Sequence, residues 1–366
     1  MKVKELTVRL VKWDAPAYRS GRNLFGGMKP LGVLTIHTDE GLEGHAFMGS
    51  PRQGADAFVG PLMEFLKPIV VGRNPLDIGA IWSEMWRTNR SVPTAAIGAV
   101  DVALWDLAGK VAGLPIHRLL GTCREKVPAY ASSPSWPRVE DYVEEAQRFR
   151  SQGWTAYKIH PHGVPKEDIE ICRAVRQAVG EDTVLMLDSM WAYTYEDALR
   201  VGRAIEDLGF FWYEDPLAEE DIYNYTKLCQ KLDIPIMSVE WVPGRFYGTP
   251  VWILQKATDI LRGDVAVSGG ITPLVKIAHL AEAFHMKCEI HHGGNSLNNV
   301  ANLHVTMAVP NCDYYEFFPS TGANKFGLVE DIEVDGQGFV HAPQKPGLGY
   351  DIDWERIRRD TLQVIR

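Results

Sequence analysis

The feature that most constrains the fold of this 366-residue chain is a repeat, through its last two thirds, of short apolar runs that each precede an amphipathic stretch. The stretches between the runs have helical periodicity, and strands that alternate with helices predict a parallel sheet. Eight units predict an α/β protein with a closed (β/α)8 TIM-type barrel rather than an open doubly wound sheet. The eight runs occupy positions 127–133, 156–161, 184–190, 210–216, 235–241, 259–267, 286–292 and 314–318.

Composition and simple motifs exclude several classes of function. Formal net charge is -9, so we expect no nucleic-acid partner. No segment approaches the roughly 18 apolar residues of a membrane span, and the N-terminus lacks the apolar core of a signal peptide, so we expect a cytoplasmic protein without a membrane partner. The five cysteines form no CxxC pair, and neither GxGxxG nor GxxxxGK[ST] occurs.

The N-terminal part predicts a separate α+β unit. Residues 5–13 and 31–38 have strand character, and the first 50 residues are predicted to form a three-stranded meander. Between them, residues 14–30 are rich in Gly, Pro, cations and aromatics, and we predict a long irregular loop that acts as a lid. Helical spacing follows at residues 55–66, 78–87 and 94–111.

Charged or titratable residues lie near the C-terminal end of every predicted barrel strand from the second to the eighth. A parallel barrel strand is buried, so a charge there is costly unless it is paired or binds a metal. These residues recur every 24 to 30 positions, which places them at one level of the C-terminal mouth, where barrel enzymes have their active sites. They are Lys158 and His160, Asp188, Glu214, Glu240, Asp264, His291 and Glu316.

Three consecutive strands end in carboxylates. Asp188, Glu214 and Glu240 would converge, and three neighbouring anions repel one another unless a cation holds them. Ligation by oxygen alone favours a hard ion, most simply Mg²⁺. The alternative is that each carboxylate pairs with an arginine or a lysine.

The remaining residues of this set predict proton transfer. Lys158 and His160 are two positions apart and so point the same way, while His291 lies across the barrel from them. A base on each side of a bound substrate can remove a proton from one face and deliver one to the other. Asp264 would orient His291. Glu316 would donate a hydrogen bond to the substrate if it were protonated, which requires a raised pKa.

The chain resembles the enolase superfamily and, within it, the mandelate racemase subgroup. The resemblance rests on GAVDVALWDLAGKVAGLPIHRLLG (98–121), on the runs LDS, YEDP and SVE, and on RGDVAVSGGIT (262–272) with His291 and YYE. It implies a modified (β/α)7β barrel with a capping domain, and a symmetric homo-oligomer. The implied division is a capping domain at 1–126, the barrel at 127–325, and a segment at 326–366 that returns to the capping domain.

The resemblance also implies a site and its roles. Mg²⁺ would be bound by Asp188, Glu214 and Glu240. Lys158 would be one acid/base group, the dyad of His291 and Asp264 the other, and Glu316 would contact the carboxylate of an ene-diolate intermediate. In this family a metal ion that stabilises the ene-diolate lets a Lys or His base remove the weakly acidic α-proton of a carboxylate.

Two positions depart from the subgroup pattern. His160 replaces the second lysine of the usual Lys-x-Lys, so Lys158 is less secure as the base and His160 is itself a candidate acid or ligand. Met190 replaces the usual asparagine. Two segments, 14–30 and 41–51, are expected to close over the substrate. Candidate substrate-binding residues lie in these segments and just after the second strand: Tyr18, Arg19, Arg22, His45 and His162.

The expected activity is dehydration of an acid sugar, an aldonate or aldarate, to a 2-keto-3-deoxy acid. The same intermediate permits racemisation or epimerisation at C2, or cycloisomerisation of a lactone. A non-catalytic sugar-acid binding protein would lack the metal ligands and the dyad. A Schiff-base aldolase would use Lys158 as its nucleophile, and no other feature of the sequence supports that function. The expected partner is therefore a small-molecule carboxylate.

Overall fold

A computed structural model describes all 366 residues. Its strands are β1 (Val3–Ser20), β2 (Asn23–Thr38), β3 (Glu43–Met48), β4 (Lys126–Ser132), β5 (Ala156–Ile159), β6 (Val184–Asp188), β7 (Tyr213–Glu214), β8 (Ile236–Ser238), β9 (Ile260–Gly263), β10 (Lys287–Ile290), β11 (Tyr315–Phe317), β12 (Phe339–His341) and β13 (Thr361–Ile365).

Fourteen α-helices accompany the strands: α1 (Asp56–Pro61), α2 (Lys67–Val70), α3 (Ile78–Trp86), α4 (Thr94–Ala112), α5 (Ile116–Leu120), α6 (Val139–Ser151), α7 (Pro165–Val179), α8 (Tyr195–Asp207), α9 (Ile222–Lys231), α10 (Thr249–Leu254), α11 (Val265–Ser268), α12 (Ile271–Ala283), α13 (Ser296–Ala308) and α14 (Trp354–Arg359). A π-helical turn at Leu62–Leu66 joins α1 to α2, and a 3₁₀ turn at Arg245–Tyr247 precedes α10. None of the helices combines the length and the apolar character that a membrane span requires.

The first three strands form the predicted antiparallel meander, and the C-terminal strand β13 pairs with β1 at its edge. The last residues of the chain therefore lie in the same sheet as the first. β12 pairs antiparallel with β4, the first barrel strand. On this topology we propose the division at 1–126, 127–325 and 326–366.

The predicted loop at residues 14–30 is wrong, because these residues extend β1 and β2 into one long hairpin. The strands stay paired to Ser20 and Asn23, across a bulge between Ala15 and Tyr18. Gly26 has φ +94°, and a Cβ there would lie 2.4 Å from the carbonyl oxygen of Pro16. Glycine thus permits close backbone packing at the bulge. In the sequence, the same glycine had indicated an irregular loop.

The barrel contains eight parallel strands in the order β10-β9-β8-β7-β6-β5-β4-β11. No hydrogen-bonded ladder joins β10 to β11, so the barrel is open there. A helix follows each strand from β4 to β10, whereas β11 runs into a segment without one. This (β/α)7β barrel with an antiparallel cap confirms the predicted fold class.

Candidate active site

The interior of the barrel is arranged in layers, because side chains two residues apart on a strand point the same way. A lower apolar layer contains Tyr130, Ala156, Met186, Trp212, Met237 and Ile260. Two residues further along four of these strands lie Lys158, Asp188, Glu214 and Arg262, and Glu316 on β11 joins them. We call these five residues the charged layer. Buried charged side chains therefore lie directly above an apolar layer at the mouth of the barrel.

Lys158 is at the centre of the charged layer and is fully buried. Its Nζ lies 2.7 Å from Glu316 Oε1, 3.0 Å from Glu214 Oε2 and 3.5 Å from Asp188 Oδ2. Burial alone would lower the pKa of Lys158, but Glu214 and Glu316 outweigh it and hold the pKa well above its ordinary value. Lys158 is therefore an ammonium ion in this arrangement.

Arg262 is a second buried cation in the charged layer. Its Nε lies 2.6 Å from Glu214 Oε1 and 3.5 Å from Glu240 Oε2, and its Nη2 lies 2.5 Å from Glu316 Oε2. The Tyr130 hydroxyl lies 3.5 Å from its terminal nitrogens. Part of the predicted alternative, in which cations pair with the carboxylates, is thus realised.

These cations set the charge states of the carboxylates around them. Burial raises the pKa of Glu214 to about 7, although Arg262 opposes the shift. Burial would also raise the pKa of Glu316, yet Lys158 and Arg262 hold it well below its usual range. The raised pKa that a hydrogen-bond-donating Glu316 would require is therefore not found here, because both of its oxygens face cations.

His291 and Asp264 form the predicted dyad. The Nδ1 of His291 lies 3.1 Å from Asp264 Oδ2 and 3.5 Å from Glu240 Oε1. Asn302 donates a further hydrogen bond to Asp264 Oδ2, and the backbone N–H of Ala266 donates to its Oδ1. Both carboxylate oxygens are thus fixed, which orients the imidazole ring and leaves its Nε2 without a hydrogen-bond partner.

His160 occupies the other side of the mouth. Its Nδ1 donates to the Ser133 carbonyl oxygen at 2.7 Å, and its Nε2 lies 2.9 Å from Asp188 Oδ2. Lys158 lies on the same side of its strand, two residues deeper in the barrel. The residue of this strand that reaches the open mouth is therefore His160 rather than Lys158.

Two cavities lie above the charged layer. The first, of about 310 Å³, has His160, Asp188, Asp215, Glu240 and His291 on its walls, and Asn23, Phe25, Met190 and Trp191 also line it. The second, of about 420 Å³, continues from it, since both are lined by Arg52, Glu240, Trp241 and His291. Lys158 lines neither cavity.

Two family models together match most of the chain. Residues 12–121 match the mandelate racemase / muconate lactonizing enzyme N-terminal domain, and residues 141–356 match the enolase C-terminal domain-like model. The protein belongs to the enolase superfamily. Within it, the chain falls in the mandelate racemase / muconate lactonizing enzyme group that its motifs resemble.

Proteins that are similar in sequence and in structure support the same family assignment. The arabinonate dehydratase of Saccharolobus solfataricus is 30% identical over 81% of this chain and 82% of its own length. The L-talarate/galactarate dehydratase of Salmonella typhimurium is 31% identical over 92% of this chain and 85% of that protein. The crystal structure of D-glucarate dehydratase from Agrobacterium tumefaciens, complexed with magnesium, is 33% identical with a TM-score of 0.90, covering 99% of this chain and 100% of that one.

The carboxylates that this superfamily chain places on β6, β7 and just after β8 match the chemistry of a hard cation. No group of three or more His, Cys, Asp or Glu side chains is arranged as a finished metal cage, because Lys158 and Arg262 lie between the carboxylates. All the donors are nevertheless carboxylate oxygens, and neighbouring members are bridged by a single nitrogen. Asp215, on the same wall, has a buried Oδ1 without a partner. This donor set fits Mg²⁺.

The tip of the N-terminal hairpin lies across the loops that follow β4, β5 and β6. The N–H of Gly21 donates to Ser135 Oγ at 2.7 Å, and Arg22 donates to the carbonyl oxygen of Gly163 at 2.8 Å. The Ser20 hydroxyl donates a hydrogen bond to the Sδ of Met190, in the loop after β6. The segment expected to act as a lid is thus a docked hairpin.

None of the five substrate-binding candidates lines either cavity. Arg19 is exposed, and Arg22 is engaged with Gly163. Tyr18 is buried against Phe318 and does not line either cavity.

The two histidine candidates are held elsewhere. His45 faces Trp354 in the capping domain, and burial lowers its pKa to about 3. The Nε2 of His162 lies 2.6 Å from the Trp136 carbonyl oxygen. The structure does not bring these candidates to the mouth, because β3 and the loop after β5 direct them away from it.

Three cationic residues at the site, Arg52, Arg245 and Arg262, were not among the residues predicted from the sequence. Arg262 precedes Asp264 by two positions, so the same alternation that placed Lys158 with His160 could have found it. Arg52 follows the segment expected to close over the substrate, but no periodicity distinguishes it from an exposed loop arginine. Its position depends on how the capping domain meets the barrel.

Proposed function

We propose that this protein dehydrates an acid sugar to a 2-keto-3-deoxy acid. The observation that carries the proposal is the first cavity, which His160 and His291 line from strands on opposite sides of the barrel. Between them the walls contain the carboxylates Asp188 and Glu240. The dehydratase names of the relatives support the same reaction class.

Asp188, Glu214 and Glu240 would hold Mg²⁺. A bound Mg²⁺ supplies positive charge to the substrate carboxylate and so makes its α-proton more acidic. Lys158 and Arg262 compensate much of the negative charge of the carboxylates beneath the site, which reduces the repulsion of a substrate that gains negative charge as it reacts. We therefore assign Lys158 an electrostatic role beneath the substrate rather than that of the abstracting base.

The two imidazoles carry the protons. Once Asp188 was engaged with Mg²⁺, the Nε2 of His160 would be released from that carboxylate and could accept a proton. His160 takes the proton from C2, and the electron pair of that C–H bond forms a C1–C2 double bond, which gives the ene-diolate of the carboxylate. That π electron pair then forms the C2–C3 double bond as the C3–O bond breaks, and the carboxylate is restored. His291 donates a proton to the departing hydroxyl, which leaves as water, while Asp264 stabilises the imidazolium of His291 before transfer. The resulting enol tautomerises to the 2-keto-3-deoxy acid.

Epimerisation or racemisation at C2 is the second candidate, because two imidazoles that flank one cavity can exchange a proton on either face. The test is incubation with Mg²⁺ in D₂O against a panel of aldonates and aldarates, following keto-acid formation and deuterium at C2. A keto acid is the expected result. Deuterium incorporation without a keto acid would favour the second candidate, and the absence of both would contradict the proposed chemistry.

A further inference from the structure

Two arginines line the second cavity without a carboxylate partner. Arg52 lies in the loop between β3 and α1, and Arg245 begins the 3₁₀ turn after β8. Every cationic side chain of the charged layer is paired, whereas neither of these guanidinium groups forms an ion pair within the chain. Guanidinium groups at a cavity wall favour an anionic ligand there.

Arg52 is held in place before any ligand arrives. Its guanidinium carbon lies 4.9 Å from the centre of the Phe25 ring, in the N-terminal hairpin. The loop is fixed on both sides of Arg52, since the N–H of Gly26 donates to the Pro51 carbonyl oxygen and the N–H of Ala55 donates to that of Pro30. A fixed arginine loses little conformational entropy when it binds an anion.

Arg245 has a buried hydrogen-bond donor without a partner. Its Nη1 donates to the carbonyl oxygens of Trp241 and Val242, but its Nε is buried without a hydrogen-bond partner. The residue also has φ +50°, a left-handed conformation that is unfavourable outside glycine. Backbone strain and an unsatisfied buried donor together are typical of positions that a ligand completes.

The placement of the two arginines relative to the reactive groups indicates which part of a substrate they meet. His160, Asp188 and Asp215 line the first cavity only, whereas Arg245 lines the second only. A linear substrate whose reacting carboxylate lies at Asp188 and Glu240 would extend past His291 into the second cavity. Its far end would then face Arg245, with Arg52, which lines both cavities, beside it.

We propose that Arg52 and Arg245 bind a second, distal carboxylate, so that the substrates are aldarates, which have a carboxylate at each end. This inference rests on the proposed function and narrows it. The terminal hydroxymethyl group of an aldonate would leave both guanidinium groups without a direct ion-pair partner. A planar carboxylate instead matches the fork of an arginine and forms charge-assisted hydrogen bonds.

Matched substrate pairs test this inference. We would measure kcat and KM with Mg²⁺ for galactarate against galactonate and for glucarate against gluconate. R52Q and R245Q should each lower kcat/KM for the aldarate at least about tenfold, mainly through KM, because the contact exists in ground and transition states alike. Activity of R245Q on the aldonate should change less than about threefold, because Arg245 lines only the second cavity, and R52K should retain part of the preference.

The control is R203Q, which removes an exposed arginine on α8 and should leave both activities unchanged. Equal losses on both members of a pair, or a wild-type enzyme that prefers the aldonate, would overturn the inference while leaving the dehydratase proposal intact. A preference for 6-phosphogluconate over the aldarate would assign the arginines to a phosphate instead and would also overturn it.

Binding separates this inference from the proposed function. Calorimetry on the Mg²⁺-loaded H291N variant would compare galactarate with galactonate without turnover. Tighter binding of galactarate that R52Q abolishes supports the distal site even if the wild-type enzyme dehydrates neither compound. Equal binding of the two acids, or binding of neither, overturns it. Thermal melting of R52Q and R245Q confirms that each variant is folded.

Discussion

The ammonium group of Lys158 lies 2.7 Å from Glu316 Oε1 and so connects the second strand of the barrel to the eighth, across the first. Arg262 holds the other oxygen of Glu316 at 2.5 Å. The two cations compensate carboxylates that would otherwise repel one another in a buried layer. Removing either cation should therefore affect stability as well as catalysis.

Lys158→Met should lower the free energy of unfolding by roughly 3 kcal/mol, since it leaves buried carboxylates without a counterion. Urea denaturation at neutral pH, without added metal, would measure the change. Lys345→Met is the matched control, because the ion pair of Lys345 with Asp351 is exposed and its loss should change stability little. Equal effects of the two substitutions would contradict the role of Lys158 in the charged layer.

Glu240→Gln should abolish turnover without unfolding the barrel. The substitution keeps the size of the side chain but removes one of the three carboxylates assigned to Mg²⁺. Calorimetry should show weaker Mg²⁺ binding, and circular dichroism an unchanged fold. Glu282→Gln, on the exposed face of α12, should bind Mg²⁺ like the wild type. Activity of the Glu240 variant in metal-free buffer would refute the metal assignment.

His291→Asn and His160→Asn should separate the two proton transfers. His291→Asn should form no keto acid yet still exchange the C2 proton in D₂O, because His160 remains. His160→Asn should lose both, with a fall of about 10²- to 10⁴-fold, the usual contribution of a general base. Nuclear magnetic resonance would follow both signals. Loss of exchange in the His291 variant alone would reverse the assignment of the two groups.

A buried histidine away from the site predicts a pH dependence of stability. Burial lowers the pKa of His304 to about 3, and its Nδ1 accepts a hydrogen bond from the backbone N–H of His117. The unfolded state, with a pKa near 6.5, binds more protons in this range. Stability is therefore complete above about pH 6.5 and falls with decreasing pH, by roughly 2 kcal/mol for this residue between pH 7 and pH 5.

Urea denaturation at pH 7 and pH 5 would test this, and His304→Gln should reduce the difference between the two. His279→Gln is the control, since His279 is exposed and should leave the pH dependence as in the wild type. An unchanged pH dependence in the His304 variant would show that other groups account for the acid sensitivity.

Much of the fold could be predicted from local sequence patterns. Strand and helix periods depend on a few neighbouring residues, so the eight barrel strands and the helix at Thr94–Ala112 could be predicted directly. The hairpin at residues 14–30 could not, because a β-bulge uses glycine and proline in a way that resembles a loop. Only pairing with a distant segment distinguishes the two.

The candidate site could likewise be predicted from the sequence only in part. The sequence by itself determined which residues stand at the strand ends, and therefore that Asp188, Glu214 and Glu240 share one mouth, because alternation and repeat spacing are properties of the strands alone. The tertiary structure decided which groups compensate them and which reach the cavities. Arg262 pairs with carboxylates on β7 and β11 and with one just after β8, and Arg52 reaches the second cavity from the loop between β3 and α1. Such long-range electrostatic pairing depends on distances that arise only when the barrel closes and the cap docks.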